Sequence, residues 1–143
     1  MKSFLSRTLF VPEIGTELKL AEDWYFNLYA EYRNETLGKL HGFELQWLAW
    51  EEWSNRPEEF KYLHYTWIKD GERKYSIPVV IPAGTILKVD RIYIRKGNKD
   101  FSSITFTAPK FASVEMESWN KTKYKRGIRF WAKLSECNTI IFE

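Results

Sequence analysis

Basic side chains interleaved with aromatic rings are the residues of this chain best equipped to hold a charged ligand. Lys88, Tyr93 and Arg95 fall on one side of a segment with the two-residue period of a β-strand. Arg91 sits at a break in that period and Lys96 lies just beyond its end. Arg129, Trp131 and Lys133 alternate in the same way with Ile128, Phe130 and Ala132. Between them runs Lys121–Lys123–Tyr124–Lys125–Arg126, the most basic stretch of the sequence. Lysine and arginine neutralise phosphates, and tyrosine and tryptophan offer flat surfaces on which bases stack. The expected chemistry is polyanion binding, with Lys88, Arg91, Tyr93, Arg95, Lys96, Lys123, Tyr124, Arg126, Arg129, Trp131 and Lys133 as candidate ligand-binding residues for a nucleic acid or a phosphorylated nucleotide. Exposed strands of many proteins carry such residues with no ligand, so a solvated sheet face is the competing reading.

A second set has a different character. Trp47, Trp50 and Trp53 recur every three residues, with Glu51 and Glu52 among them. Tryptophan, tyrosine and arginine dominate the energetics of protein interfaces. This acidic, tryptophan-rich stretch is the natural docking surface if the partner is a protein.

Catalytic signatures are missing from the sequence. His41 and His64 lack metal-ligand spacing, and no C-x-x-C, H-E-x-x-H, G-x-S-x-G or P-loop pattern occurs. Glu51–Glu52 and Glu58–Glu59 are neighbours, and neighbours in a strand point apart, so neither pair forms a natural acid–base dyad. A hydrolase whose carboxylates are assembled only by the fold leaves no local signature and stands as a third reading. No cofactor and no metal is expected.

The composition sets the frame for these residues. A length of 143 residues suits one domain, here 1–143. A hydrophobic share of 44% rules out a disordered chain, and an aromatic share of 17% suits strands and contact surfaces. The single cysteine, Cys137, precludes an internal disulfide and reads as a small buried apolar residue. The start, MKSFLSRTLFVPEIG, has neither the apolar run of a signal peptide nor that of a membrane span. The expectation is a soluble, cytoplasmic protein with no membrane partner.

Strands must position the candidate residues. In IPAGTILKVDRIYIRKG, proline and glycine set a turn at 82–85. Leu87, Val89, Ile92 and Ile94 then form an apolar set, kept in register only if one extra residue bulges out near Asp90–Arg91. Gly15-Thr16-Glu17-Leu18-Lys19-Leu20 repeats the beginning of that unit, which suggests two related turn–strand–bulge halves; the same letters also simply open a strand. Trp24, Phe26 and Leu28 share one strand face, while Asn34–Thr36 and Gly38 read as turns. Tyr65–Lys69 and Glu72–Ser76 flank Asp70–Gly71, the signature of a hairpin with a type I′ turn, in a register that pairs Lys69 with Glu72 and Trp67 with Lys74. Leu40–Trp53 fits a helical stripe and a strand face equally; Gly42 and the density of tryptophan favour a strand. Asn55 and Pro57 read as the cap and first turn of a short helix. Ser102–Thr107, Ile128–Leu134 and Thr139–Phe142 complete an all-β fold, a small barrel or sandwich with one or two short helices.

The segments GTILKVDRIYIRKG, DFSSITF, RFWAKL and NTIIF, about a third of the chain, resemble small uncharacterised accessory proteins of bacteriophages and mobile elements. The resemblance transfers no residue role. It implies a viral protein acting stoichiometrically on a partner in the host cytoplasm, as a ligand sponge or as an inhibitor of a host defence enzyme, which favours binding over catalysis. The leading expectation is therefore a non-enzymatic protein that binds nucleic acid or nucleotide, and the alternative is an inhibitor docking on a host protein.

Overall fold

In a computed structural model of the chain, residues 2–3, 12–94, 102–109 and 127–143 are described. The strands are β1 (Lys2–Ser3), β2 (Glu17–Lys19), β3 (Trp24–Tyr29), β4 (Glu44–Trp47), β5 (Tyr65–Lys69), β6 (Glu72–Lys74), β7 (Ser76–Ile81), β8 (Ile86–Tyr93), β9 (Ser103–Ala108), β10 (Ile128–Lys133) and β11 (Ile141–Phe142). Two short α-helices, α1 (Glu35–Leu40) and α2 (Trp50–Ser54), flank β4, and single 3₁₀ segments cover Tyr32–Asn34, Glu58–Phe60 and Leu134–Thr139. The largest sheet runs β10-β9-β8-β2, all antiparallel; β3 pairs with β7, β4-β5-β6 form a third sheet, and β1 pairs with β11. None of these sheets closes on itself, so the all-β fold is sandwich-like and the barrel is excluded.

Burial of alternate side chains drives the two main layers together. Leu87, Val89, Ile104, Phe106, Phe130 and Ala132 line the inner face of the large sheet. Trp24, Phe26, Leu28, Ile77, Val79 and Ile81 face them from β3 and β7. Four rings lock the layers: Trp24 stacks on Phe26 with centroids 4.0 Å apart, meets Phe106 edge-on at 5.6 Å, and Phe26 stacks on Phe130 at 5.6 Å. Aromatic contacts of this kind contribute roughly 0.5–1.5 kcal/mol each beyond the area they bury. The Trp24 indole N–H is satisfied by Thr139 Oγ1 at 3.1 Å, so the ring is buried without an orphaned donor. Cys137 is buried, and that burial pushes its thiol pKa upward.

The repeated G-T-x-L units turn out to be each other's partners. Leu18 lies opposite Leu87 in the β2–β8 pair, and the bonds around that point are reciprocal. Gly15 N–H donates to Val89 O (2.7 Å) as Gly84 N–H donates to Leu20 O (2.8 Å). Val89 N–H donates to Thr16 O (2.8 Å) as Leu20 N–H donates to Thr85 O (2.9 Å). Both glycines have left-handed backbones, at φ +93° and +87°, a conformation that suits glycine in each turn. The bulge also forms where the apolar pattern requires it: register shifts between Val89 and Arg91, so Asp90 and Arg91 together oppose Thr105. The Asp70–Gly71 hairpin has the expected register and two positive φ angles, +52° and +81°.

Other expectations fail for tertiary reasons. Asn34–Gly38 is the end of a 3₁₀ turn and the body of α1, where turns were expected. Residues 40–53 are neither one strand nor one helix but the end of α1, the strand β4 and the start of α2. Asn55 does not cap a following helix; it closes α2, donating from its backbone N–H and from Nδ2 to Glu51 O at 3.2 and 2.9 Å. Ile94 is exposed beyond the end of β8. What holds α1 in place is Trp67. Its indole N–H donates to Leu28 O (3.0 Å), and its ring lies so close to Gly38 that a β-carbon there would clash with it. A glycine that weakens an isolated helix is thus the residue that lets this helix dock.

Two outcomes follow from this packing. Gly38→Ala should lower stability by about 1–3 kcal/mol through overpacking, although alanine favours helix, and Trp67→Phe should recover part of that loss in the double variant; urea titrations of the two single variants and the double variant measure it. His41 accepts the Val80 N–H on Nε2 (3.1 Å) and contacts Leu37 O through Nδ1 (3.0 Å), an arrangement that requires the neutral ring. Burial holds its pKa below the ordinary 6.5. The unfolded chain then takes up the proton first, so this contribution is full above pH 6.5 and is lost as the pH falls below it. The melting temperature should drop between about pH 7 and 5, and His41→Gln should flatten that slope.

Candidate functional site

The described polyanion candidates lie on β8 and β10 of the large sheet, and the structure separates the whole set into three groups. Lys88, Arg91 and Tyr93 stand exposed along β8, Tyr93 being 52% accessible. Lys88 lies opposite Glu17 on one side and Thr107 on the other; Arg91 and Tyr93 lie opposite Thr105 and Ser103. Arg129 is exposed too, but its guanidinium pairs with Asp90 at 3.0 Å. The bulge makes this possible, because it takes Asp90 out of the alternating pattern and leaves its carboxylate free to reach across β9.

Trp131 is placed differently from the expected outward face. It is 8% exposed, stacks on Tyr29 with ring planes 2° apart, and donates its indole N–H to Glu31 Oε2 at 3.2 Å. Lys133 lies with its ammonium 4.5 Å from the Tyr29 ring centroid. These two residues are occupied by the protein's own aromatic and acidic groups, because the segment from Tyr29 to Asn34 folds over that end of β10. The remaining polyanion candidates, Arg95, Lys96, Lys123, Tyr124 and Arg126, lie outside the described residues, as do Lys121 and Lys125.

The tryptophan set lies at one end of the β4–β5 pair, with Trp47 opposite Tyr65 on one face of the sheet and α2 tied through Glu52 to Arg73 on the other. β4 ends in Trp47, and two residues later α2 begins at Trp50 and carries Trp53 one turn on. Helix α2 forms because Glu52 reaches back to the Ala49 N–H (3.4 Å) while Trp53 N–H donates to Ala49 O (2.8 Å), which closes its first turn. Arg56 clamps the end of the helix by donating to the carbonyls of Trp53, Phe60 and Lys61. Glu52 also pairs with Arg73 on β6, which ties α2 to the hairpin. The hydrogen bond from Arg73 holds the Glu52 carboxyl below the usual carboxylate range.

Two of the three indoles are held at fixed angles. Trp47 stacks on Tyr65 at 4.4 Å. Trp53 donates its N–H to His64 Nδ1 (3.1 Å) and lies under the Arg56 guanidinium at 4.4 Å. Trp50 has no ring partner among the described residues. Yet the accessibilities are 69% for Trp47, 76% for Trp50 and 41% for Trp53. Rings of this size normally go inside, and clusters left outside and rimmed by polar groups mark contact surfaces. The rim here is acidic: Glu44, Glu51 and Glu59 are exposed and make no ion pair among the described residues.

Sequence reasoning singled out Trp47, Trp50, Trp53, Glu51 and Glu52 but not Tyr65, His64, Arg56 or Arg73. Those four hold the patch in shape from three other segments. The only local signal for them was the hairpin register, which places Arg73 opposite Ile68 and hence on the same sheet face as Thr66. The adjacent carboxylate pairs are engaged elsewhere, Glu52 with Arg73 and Glu58 with Lys61. No group of three or more His, Cys, Asp or Glu side chains gathers as metal ligands among the described residues. The described residues also include no helix long and apolar enough to cross a membrane.

The chain matches no protein-family model, no curated protein and no solved structure.

Proposed function

We propose that the chain is a non-enzymatic binding protein that captures a protein partner, one molecule to one, through the surface formed by Trp47, Trp50, Trp53, Glu51 and Glu52. One observation carries this reading: three tryptophans within seven residues are left largely in water while most large apolar side chains of the described strands are buried. Exposed apolar rings cost solubility and gain nothing in the free protein, whereas at an interface a desolvated tryptophan contributes about 2 kcal/mol or more. The indoles of Trp47 and Trp53 are already fixed by Tyr65 and by His64 with Arg56, so little side-chain entropy is lost on docking.

The reading is tested by native mass spectrometry of the purified protein mixed with host-cell extract, followed by titration of whatever single protein is retained. Trp50→Ala should weaken that complex at least about tenfold and leave the folding stability within about 0.5 kcal/mol, since the side chain is exposed. Affinity should change little between low and high salt. Unchanged binding by the Trp47→Ala/Trp50→Ala double variant would refute the assignment.

A second reading, polyanion binding on the outer sheet face, rests on Lys88, Arg91 and Tyr93, whose side chains stand exposed along β8, with no ion pair to Lys88 or Arg91 among the described residues. Its mark is a steep salt dependence from phosphate neutralisation. Binding of a fluorescent oligothymidylate should then fall about tenfold or more in Lys88→Glu/Arg91→Glu. The same loss in Trp50→Ala would show that the oligonucleotide sits on the tryptophan surface instead.

A further inference from the structure

Strand edges are where a sheet can accept another chain, and two edge strands of this fold meet different fates. Leu134 N–H donates to Ser102 O (2.8 Å), which fixes the phase of the β9–β10 ladder: in this pair the backbone groups of Arg129, Trp131 and Lys133 point away from β9. That edge is closed. Asn34, fully buried, turns its Oδ1 to the Trp131 N–H at 2.7 Å and donates its Nδ2 to Tyr29 O at 3.0 Å. On the far side, β2 is continued by a bridge from Leu20 to Phe142.

Among the described residues the edge at β4 has no such cover. Leu48 N–H donates to His64 O (3.0 Å), so Glu44 and Gln46 exchange bonds with Ile68 and Thr66, and the N–H and C=O groups of Leu45 and Trp47 point outward. No strand pairs with β4 on that side among the described residues. α1 packs on the sheet face, where Gly38 meets the Trp67 ring. Natural edges are guarded by short length, charged side chains (lysine above all), proline or a bulge. β4 is short and begins with Glu44, but its sequence, Glu-Leu-Gln-Trp, carries no lysine, proline or bulge.

We infer that β4 accepts an extended, basic segment of the protein partner as an added strand, so that the partner's backbone bonds to Leu45 and Trp47 while its side chains meet the tryptophan surface. This inference rests on the protein-binding reading above and specifies its mode. Charge supports a basic segment: of the five glutamates in residues 44–59, Glu44, Glu51 and Glu59 are exposed and make no ion pair among the described residues, while Glu52 and Glu58 are held by Arg73 and Lys61. The pleat supports alternation. Trp47, stacked on Tyr65, stands on one face of the edge, and Glu44 and Gln46 stand exposed on the other. An added strand therefore presents apolar side chains toward Trp47 and lysine or arginine toward Glu44.

The test uses the full chain and a short synthetic peptide alternating lysine and valine. A matched peptide, N-methylated at alternate residues, keeps the side chains and removes the donors on one edge. Both registers of methylation are made, so that one of them removes the donors facing β4. Affinity is read by fluorescence anisotropy and amide exposure by hydrogen exchange. Strand addition predicts binding of the plain peptide, slowed exchange at Leu45 and Trp47, and at least about tenfold weaker binding of one methylated register, through the loss of one or two backbone hydrogen bonds. If both methylated peptides bind as well as the plain one, with Leu45 and Trp47 still exchanging freely, strand addition is overturned. The tryptophan surface survives that outcome if Trp50→Ala still weakens binding. If the plain peptide does not bind, while a partner retained from extract is sensitive to Trp50→Ala and leaves the Leu45 and Trp47 amides unprotected, strand addition again fails and the surface stands. If neither peptide nor retained partner responds to Trp50→Ala, both readings fall.

Discussion

The contact between the Trp67 ring and Gly38 is the constraint from which the arrangement of the candidate site follows. Trp67 is buried in the middle strand of the β4-β5-β6 sheet, donates its indole proton to Leu28 of β3, and leaves room for α1 only where a residue lacks a side chain. One side chain thereby joins the outer sheet, the helix and the inner layer. Leu45 lies directly opposite it, so the position of β4, and with it the start of α2, is referred back to the same ring. A smaller residue at 67 would leave α1 without a seat and β4 without an inner neighbour.

From that anchor the surface is assembled out of modest interactions. The ion pair between Glu52 and Arg73 is exposed and adds little stability on its own. Its effect is geometric, since it holds a five-residue helix that would not persist alone against the hairpin. The stacking of Trp47 on Tyr65 and the hydrogen bond from Trp53 to His64 work in the same sense. Large rings are kept outside the core and yet kept still. At the β10 edge of the large sheet the fold does the reverse: a buried asparagine caps the Trp131 N–H, and the Trp131 ring is folded under Tyr29. Among the described residues, one edge is thus capped by a polar side chain, while no strand pairs with the edge at β4.

Much of the scaffold was legible in the residue pattern. The Asp70–Gly71 hairpin, its register, the alternation in β3 and the bulge at Asp90–Arg91 each follow from a local rule, either positive φ at a two-residue turn or the need to keep apolar side chains on one face. The site was legible in composition and less so in placement. Trp131 reads as an outward residue in a strict alternation, but the burial of Trp131 depends on a segment a hundred residues earlier in the chain. α1 was invisible for a similar reason: six residues with a central glycine have no intrinsic drive to be helical, and only the seat offered by Trp67 makes them so.

The sequence by itself determined the class of fold, because period-two burial and turn chemistry act over a few residues and leave a readable trace. It also determined that tryptophan and glutamate would lie close together between residues 44 and 59, since they are neighbours along the chain. Tertiary structure alone decided which rings would be exposed, which strand edge is left without a pairing strand among the described residues, and that the two G-T-x-L units would pair with each other about Leu18 and Leu87. Those outcomes turn on what packs against a residue from distant segments, and such contacts are set by the whole fold's search for buried area and satisfied hydrogen bonds, not by any local run of residues.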